Sequence, residues 1–191
     1  VSYTSDPTWA GHMDLAMAER YQINQMWFGY NYFPTVSLGD ASFETANDAK
    51  SYLNTTDVAV FKRLITQTTV NTYMLVMSHV QIPAIDNAHL ASTSKAIITD
   101  WLRHELGYNG VVMTDRVDVG ALQANQKIGD FAVDSIVAGS DLVLLDADTV
   151  HIDEVHRALT QAVANGTITN DRLNDAVKHI LLMKMQTQIQ Q

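Results

Sequence analysis

The 191-residue chain is predicted to be a parallel α/β protein, and three features of the sequence support this prediction. Short apolar or aromatic runs alternate with longer amphipathic stretches, which is the pattern of βα units. Each run is bounded by Gly, Asn or Asp and is apolar enough to be buried on both faces, as strands of parallel sheets are. The intervals between successive runs leave room for a helix and two loops.

The apolar runs predict four strands, at residues 25–30, 73–79, 110–114 and 141–145. The clearest helix follows Ser94 and ends before Gly107, because apolar residues recur there at helical spacing and glycine is a common helix stop. The other amphipathic stretches predict helices at 8–21, 58–68, 131–138, 150–165 and 171–185. Residues 31–56 are predicted to form a long irregular loop.

Residues 1–191 contain no interdomain linker and no convincing repeat, so they are interpreted as a single domain or a piece of one. Four βα units are half of an eight-stranded barrel, which typically needs about 250 residues. The sequence therefore leaves two architectures open. The four units either pair with sequence outside these residues or form a smaller open sheet.

Composition excludes several classes of protein. With 12 Lys and Arg against 21 Asp and Glu, the net charge is −9, which disfavours binding to phosphate backbones and hence to nucleic acid. The absence of cysteine excludes disulfides and thiolate metal sites; we expect a cytoplasmic location, with secretion left open. The longest apolar runs are far shorter than the roughly 20 residues of a membrane span, so no membrane association is expected.

The sequence also lacks the signatures of common cofactor sites. Its glycines show neither the GxGxxG nor the phosphate-loop spacing, and its histidines show no metal-binding pair beside a carboxylate on a helix. We therefore expect neither a cofactor nor a metal ion.

Polar residues that follow the apolar runs are candidates for function, because active sites of parallel α/β folds lie at the carboxyl ends of strands. Asp115 stands out, since it ends an apolar strand and is followed by Arg116 and Asp118. Such a carboxylate suits a nucleophile, although capping of the following turn is an equally good interpretation. His79 suits a ligand-orienting or proton-carrying group, but the structural interpretation of a lone histidine is slightly favoured.

Residues 102–121 read LRHELGYNGVVMTDRVDVGA, which resembles the LRxELGFxGVVxxDxxxMGA motif of glycoside hydrolase family 3, in its single-domain β-N-acetylhexosaminidase branch. Shorter matches occur in the family's order at 5–7, 77–80, 83–86, 138–144 and 172–177. The resemblance implies that the chain supplies about four C-terminal βα units of a (β/α)8 TIM barrel. It also places Asp115 at the nucleophile that forms a covalent glycosyl intermediate. Arg116 and His79, from their positions after the strands, are candidate substrate-binding residues.

The chain departs from the family after the first predicted strand. There the family carries a KHFPGHGDT segment that binds sugar, followed by an Asp-His pair that acts as acid and base. Asn31 and Tyr32 occupy the Lys-His positions, and the Asp and His of the pair fall on Glu44 and Ala46. Asn31 and Tyr32 are retained as substrate-binding candidates, and Glu44 or Asp40 is the candidate substitute acid.

The resemblance implies retaining, β-N-acetylhexosaminidase-like hydrolysis of an amino-sugar glycoside. Loss of acid/base assistance typically costs about 10²–10⁴-fold, so a catalytically impaired, sugar-binding or structural relative is the alternative. A third possibility is an acid supplied by other sequence. A half barrel would leave sheet edges and apolar faces uncovered, so self-association or pairing with an N-terminal half is expected.

Overall fold

The computed structural model describes residues 6–24, 26–39, 41–68, 73–118 and 126–188. The helices in this part of the chain are α1 (Pro7–Ile23), α2 (Ala46–Thr55), α3 (Asp57–Gln67), α4 (Ala96–Glu105), α5 (Ile128–Ala138), α6 (Thr149–Ala164) and α7 (Asn170–Gln188). The strands are β1 (Phe28–Phe33), β2 (Tyr73–Met77), β3 (Gln81–Ile82), β4 (Asp86–Leu90), β5 (Val111–Arg116) and β6 (Leu142–Leu144). A single 3₁₀ turn, Ala91–Thr93, precedes α4, which is wound in wide π-type turns.

Four of the described strands form one parallel sheet in the order β1-β2-β5-β6. Helices connect successive strands, which confirms the predicted parallel α/β fold. The remaining two strands, β3 and β4, form a small antiparallel hairpin between β2 and α4. The described strands form an open sheet, and closure into a barrel stays a prediction.

The main core lies between one face of this sheet and the helices. Alternate side chains of β2, from Tyr73 to Met77, join Val112 of β5 on the covered face. Trp101 of α4 packs there with no exposed surface, in contact with the ring of Phe33 at a centroid distance of 5.5 Å. Apolar burial against α2, α3 and α4 therefore holds the sheet by one face. A smaller apolar cluster joins α5 to α6.

The first strand and two local elements differ from the sequence-based predictions. β1 begins at Phe28 rather than at residue 25, because Met26 and Trp27 are exposed and pairing with β2 starts at Phe28. Residues 31–56 are not wholly irregular, since they contain α2, which buries only Ala49 and Leu53. The β3–β4 hairpin was not predicted, because its short strands are mostly exposed and carry no apolar alternation.

A buried carboxylate joins several elements at the amino end of β6. The side chain of Asp141 has no exposed surface and accepts hydrogen bonds from the Val112 amide at 3.0 Å and from Arg103 at 2.8 Å. Arg172 pairs with its other oxygen, and His179 Nδ1 lies 3.2 Å away. Burial alone would raise the pKa of Asp141, but the His179 hydrogen bond and the Arg103 charge hold that pKa below its ordinary value. Asp141 thus fastens α4 and α7 to the sheet.

Apolar side chains are exposed on the outer helices. On α7 they recur every fourth residue, at Leu173, Val177, Leu181 and Met185. Nothing within the described residues covers this stripe, and the expected self-association or pairing with a second half stays a prediction. Among the described residues, no helix combines the length and hydropathy that a bilayer span requires.

Replacing Asp141 by Asn is expected to lower the free energy of unfolding at pH 7 by about 3–5 kcal/mol, because two largely buried arginines lose their counter-charge. The folded-state pKa of Asp141 lies below the unfolded value of about 3.9, so the stabilisation is present above that value and disappears as the pH falls through the folded pKa. Urea unfolding at pH 7 and at acid pH measures both effects. The exposed Asp153→Asn variant on α6 is the control. A pH-independent difference would contradict the role of charge.

Replacing Gly139 by Ala is expected to destabilise the protein by about 2–4 kcal/mol, because the site combines a positive φ of 125° with steric crowding. An added Cβ would lie 2.8 Å from Thr99 Oγ1 and 2.9 Å from Ile98 Cγ2. Gly166→Ala is the matched control, since Gly166 also has a positive φ but has no atom within 4 Å of the added carbon. Urea unfolding should show a loss of only about 1 kcal/mol for the control. Equal losses would contradict the crowding at Gly139.

Candidate active site

Asp115 is the next-to-last residue of β5, which lies between β2 and β6 in the sheet. It therefore stands at the carboxyl edge of an interior strand, where function concentrates in parallel α/β folds. The side chain is partly buried, between the fully buried Thr114 and the exposed Arg116. This position keeps the carboxylate accessible while the strand on each side holds its backbone in place.

The strand register places Asn31 in line with the strand that carries Asp115. Asn31 pairs with Val76, and Val76 pairs with Met113, so the three residues form one row across β1, β2 and β5. The face of this row is opposite to the one that packs on the helices, since Leu75 and Val112 belong to the main core. Asp115 follows Met113 by two residues, within the stretch where the register between β5 and β6 shifts.

Arg116 is tied to carboxylates at the same edge. Its Nε donates to Asp118 Oδ1 at 3.1 Å, and its Nη2 also pairs with the nearly buried Asp118 carboxylate. Asp146, which follows β6, lies 3.9 Å from Arg116 Nη2 and donates its amide to Asp118 Oδ1 at 3.3 Å. The hydrogen bond from Arg116 holds the pKa of Asp118 below its ordinary range. The ends of β5 and β6 are therefore linked through charge and hydrogen bonds.

His79 follows β2 and reaches the end of β5. Its Nε2 lies 3.1 Å from the backbone oxygen of Arg116, which can only accept, so Nε2 carries the proton. Its Nδ1 lies 2.7 Å from Ser92 Oγ, which is then the donor. Burial lowers the pKa of His79, although the Arg116 hydrogen bond and the Asp115 charge oppose this shift. Both ring nitrogens are occupied, which favours the structural interpretation; the substrate-binding role stays a prediction.

The remaining predicted site residues lie around β1 and the segment after it. Asn31 and Tyr32 belong to β1 itself rather than following it, and the peptide bond between them is cis. Glu44 is exposed and precedes Thr45, whose hydroxyl caps α2 by accepting from the Asp48 amide at 3.2 Å. Within the described residues Glu44 has no hydrogen-bond or ion-pair partner. Asp40 lies outside the described residues, so the substitute-acid role of either residue stays a prediction.

Two members of this arrangement escaped the sequence analysis. Ser92 lies on the 3₁₀ turn after the hairpin, and its hydroxyl hydrogen-bonds to the ring of His79, which is thirteen residues earlier in the sequence. His151 lies on the first turn of α6, and its Nδ1 is 3.1 Å from Asp146 Oδ1. Helical spacing does not predict this contact, because Asp146 precedes the α6 cap at Asp148 and His151 follows it. The sequence could have indicated the contact only through the short turn that joins the end of β6 to the start of α6.

Within the described part of the chain, no group of three or more His, Asp or Glu side chains could hold a metal ion. The ionisable side chains described at the carboxyl edge of the sheet carry carboxylate, imidazole and guanidinium groups. Such groups suit attack by a carboxylate on a carbon centre, together with proton transfer.

Known proteins share both the sequence and the fold of this chain. Beta-hexosaminidase A of Pseudoalteromonas piscicida is 24% identical over 206 residues, which cover 96% of this chain and 34% of that protein. The beta-hexosaminidase of Nitrosomonas eutropha is 32% identical over 122 residues, covering 63% of this chain and 34% of the relative. The solved structure of a glycoside hydrolase family 3 beta-N-acetylglucosaminidase from Paenibacillus sp. str. FPU-7 superposes with a TM-score of 0.87 at 25% identity.

That structural match covers 100% of this chain and 36% of the Paenibacillus chain. The chain thus spans about a third of the length of these relatives. Residues 1–183 match the model of the glycosyl hydrolase family 3 N-terminal domain. The resemblance of the 102–121 motif is confirmed, and the chain belongs to glycosyl hydrolase family 3.

Proposed function

We propose that the protein containing this chain is a retaining glycoside hydrolase that cleaves β-linked N-acetylhexosamine residues, with Asp115 as the nucleophile. The observation that carries the proposal is the position of Asp115. It is a partly buried carboxylate at the carboxyl edge of an interior strand, in a chain that belongs to a glycoside hydrolase family. Relatives named as beta-hexosaminidases and a beta-N-acetylglucosaminidase support an amino-sugar substrate.

The reaction requires Asp115 to be ionised. Its carboxylate oxygen bonds to the anomeric carbon as the bond from that carbon to the leaving oxygen breaks, and an acid delivers a proton to the leaving oxygen. Water then displaces the Asp115 ester and regenerates the carboxylate. His79 hydrogen-bonds to the Arg116 carbonyl and so orients the end of the strand that carries Asp115.

Replacing Asp115 by Ala or by Asn is expected to reduce hydrolysis of a chromogenic β-N-acetylglucosaminide by at least ~10³-fold, because the covalent route is lost. The measurement uses the full-length protein, with circular dichroism to show that each variant is folded. Asp153→Asn, which alters an exposed carboxylate on α6, serves as the control and should retain activity. Full activity in both Asp115 variants would refute the assignment of the nucleophile.

A second experiment tests covalent catalysis directly. A 5-fluoro-N-acetylglucosaminyl fluoride should accumulate as a glycosyl ester, because fluorine slows the second step while fluoride leaves readily in the first. Peptide mass spectrometry of the trapped protein is expected to place the sugar on Asp115 and on no peptide of the Asp115→Asn variant. Label on a peptide that lacks Asp115 would contradict the proposal.

A further inference from the structure

The proposed reaction needs a group that gives a proton to the leaving oxygen and later takes one from water. Arg116 does not serve, because a guanidinium stays protonated at any pH a protein experiences. His79 is disfavoured as well, since its two ring nitrogens are engaged by Ser92 and by the Arg116 carbonyl. Glu44 lies on the exposed segment before α2 and has no hydrogen-bond or ion-pair partner within the described residues.

One other imidazole lies at the carboxyl edge of the sheet and is paired with a carboxylate. His151 Nδ1 is 3.1 Å from Asp146 Oδ1, and its side chain is 27% exposed. Because an ionised carboxylate only accepts hydrogen bonds, the N–H of Nδ1 donates a hydrogen bond to Asp146. Nε2 is then the ring nitrogen that can give or take a proton. Within the described residues nothing hydrogen-bonds to His151 Nε2. The pair thus has the arrangement of an oriented, solvent-accessible proton carrier.

The pair is attached to the strand that carries Asp115. The Asp146 amide donates to Asp118 Oδ1 at 3.3 Å, and Asp146 Oδ2 is 3.9 Å from Arg116 Nη2. Within the strands themselves, the amide of Leu144 at the end of β6 donates to Thr114 Oγ1 at 3.1 Å, and Thr114 is the residue before Asp115. Asp115 and the pair therefore occupy the ends of adjacent strands, whose neighbouring residues are linked by these contacts.

The surrounding charges favour the protonated imidazole. The hydrogen bond to Asp146 raises the pKa of His151, partial burial lowers it, and the negative charges of Asp146, Asp148 and Asp118 raise it further. The positive charge nearest to these carboxylates is Arg116, which is engaged chiefly by Asp118. A raised pKa favours the protonated imidazole, which is the form that can give a proton to a leaving oxygen.

We propose that His151, oriented by Asp146, is the acid and base of the site, an inference that rests on the proposed function. In the first step Asp115 bonds to the anomeric carbon, the bond to the leaving oxygen breaks, and the proton on His151 Nε2 passes to that oxygen. In the second step neutral His151 takes a proton from water as the water oxygen bonds to the anomeric carbon. The Asp115 carboxylate then leaves with the electron pair of the ester bond.

The test is the dependence of rate on the leaving group, measured with the full-length protein. His151→Asn is assayed with a phenyl, a 4-nitrophenyl and a 2,4-dinitrophenyl β-N-acetylglucosaminide, which need progressively less protonation. We expect losses of about 10²–10⁴-fold in kcat/KM for the phenyl glycoside and less than tenfold for the dinitrophenyl glycoside. Azide, which needs no base to attack the glycosyl intermediate, should raise turnover of the dinitrophenyl glycoside by the variant and form a glycosyl azide.

Three comparisons keep the result specific. His156→Asn changes an exposed histidine farther along α6 and should leave all three rates unchanged. Asp146→Asn should shift the upper limb of the pH profile to lower pH, because the imidazole loses the carboxylate that raises its pKa. A His151 variant with equal losses on all substrates, or with none, would overturn the proposal. So would a leaving-group-dependent loss in Glu44→Gln with normal behaviour of His151→Asn.

The two proposals fail in different ways. Activity that survives replacement of Asp115 contradicts the proposed function itself. Activity that needs Asp115 but ignores His151 contradicts only the assignment of the acid and base.

Discussion

The Asp141 carboxylate is the interaction on which the arrangement of this fold depends most. It lies beneath the amino end of β6 and binds the β5 backbone, α4 and α7 at once. Each of these partners lies about thirty residues or more from Asp141 in the sequence, so no local interaction could bring Asp141 to them. A buried charge with this many partners is satisfied by only one relative placement of its neighbours. That placement sets where the opposite ends of β5 and β6 lie.

The carboxyl edge of the sheet also carries ionisable side chains, but they are more exposed to solvent than the Asp141 cluster at the amino edge. At the amino edge the Asp141 carboxylate is fully enclosed and paired with Arg103 and Arg172. At the carboxyl edge Asp115 is partly buried, Asp146 and His151 are partly exposed, and Arg116 is half exposed. Groups that remain accessible can exchange protons and contact a substrate, whereas the enclosed cluster can only stabilise the fold. The sheet thus separates an enclosed charge network at its amino edge from an accessible one at its carboxyl edge.

Features that depend on residues close together in the sequence could be predicted. Features that depend on contacts between distant segments could not. The strand that carries Asp115 was predictable, because its apolar run is short, dense and followed at once by charged residues. Helix α2 was missed because it buries only Ala49 and Leu53, too few for a clear apolar periodicity. The start of β1 was misplaced because Met26 and Trp27 are apolar yet exposed, a property set by the register with β2.

The sequence by itself determined the parallel α/β class, membership of a glycosyl hydrolase family and the candidate nucleophile Asp115, because each depends on residues close together in the chain. Tertiary structure alone decided which polar groups meet. It engaged both nitrogens of His79 and joined Asp146 to Asp118 across 28 residues of sequence. The physical reason is that hydrogen bonds and ion pairs act over about 3–4 Å. Only the packed sheet brings the ends of separate strands within that distance.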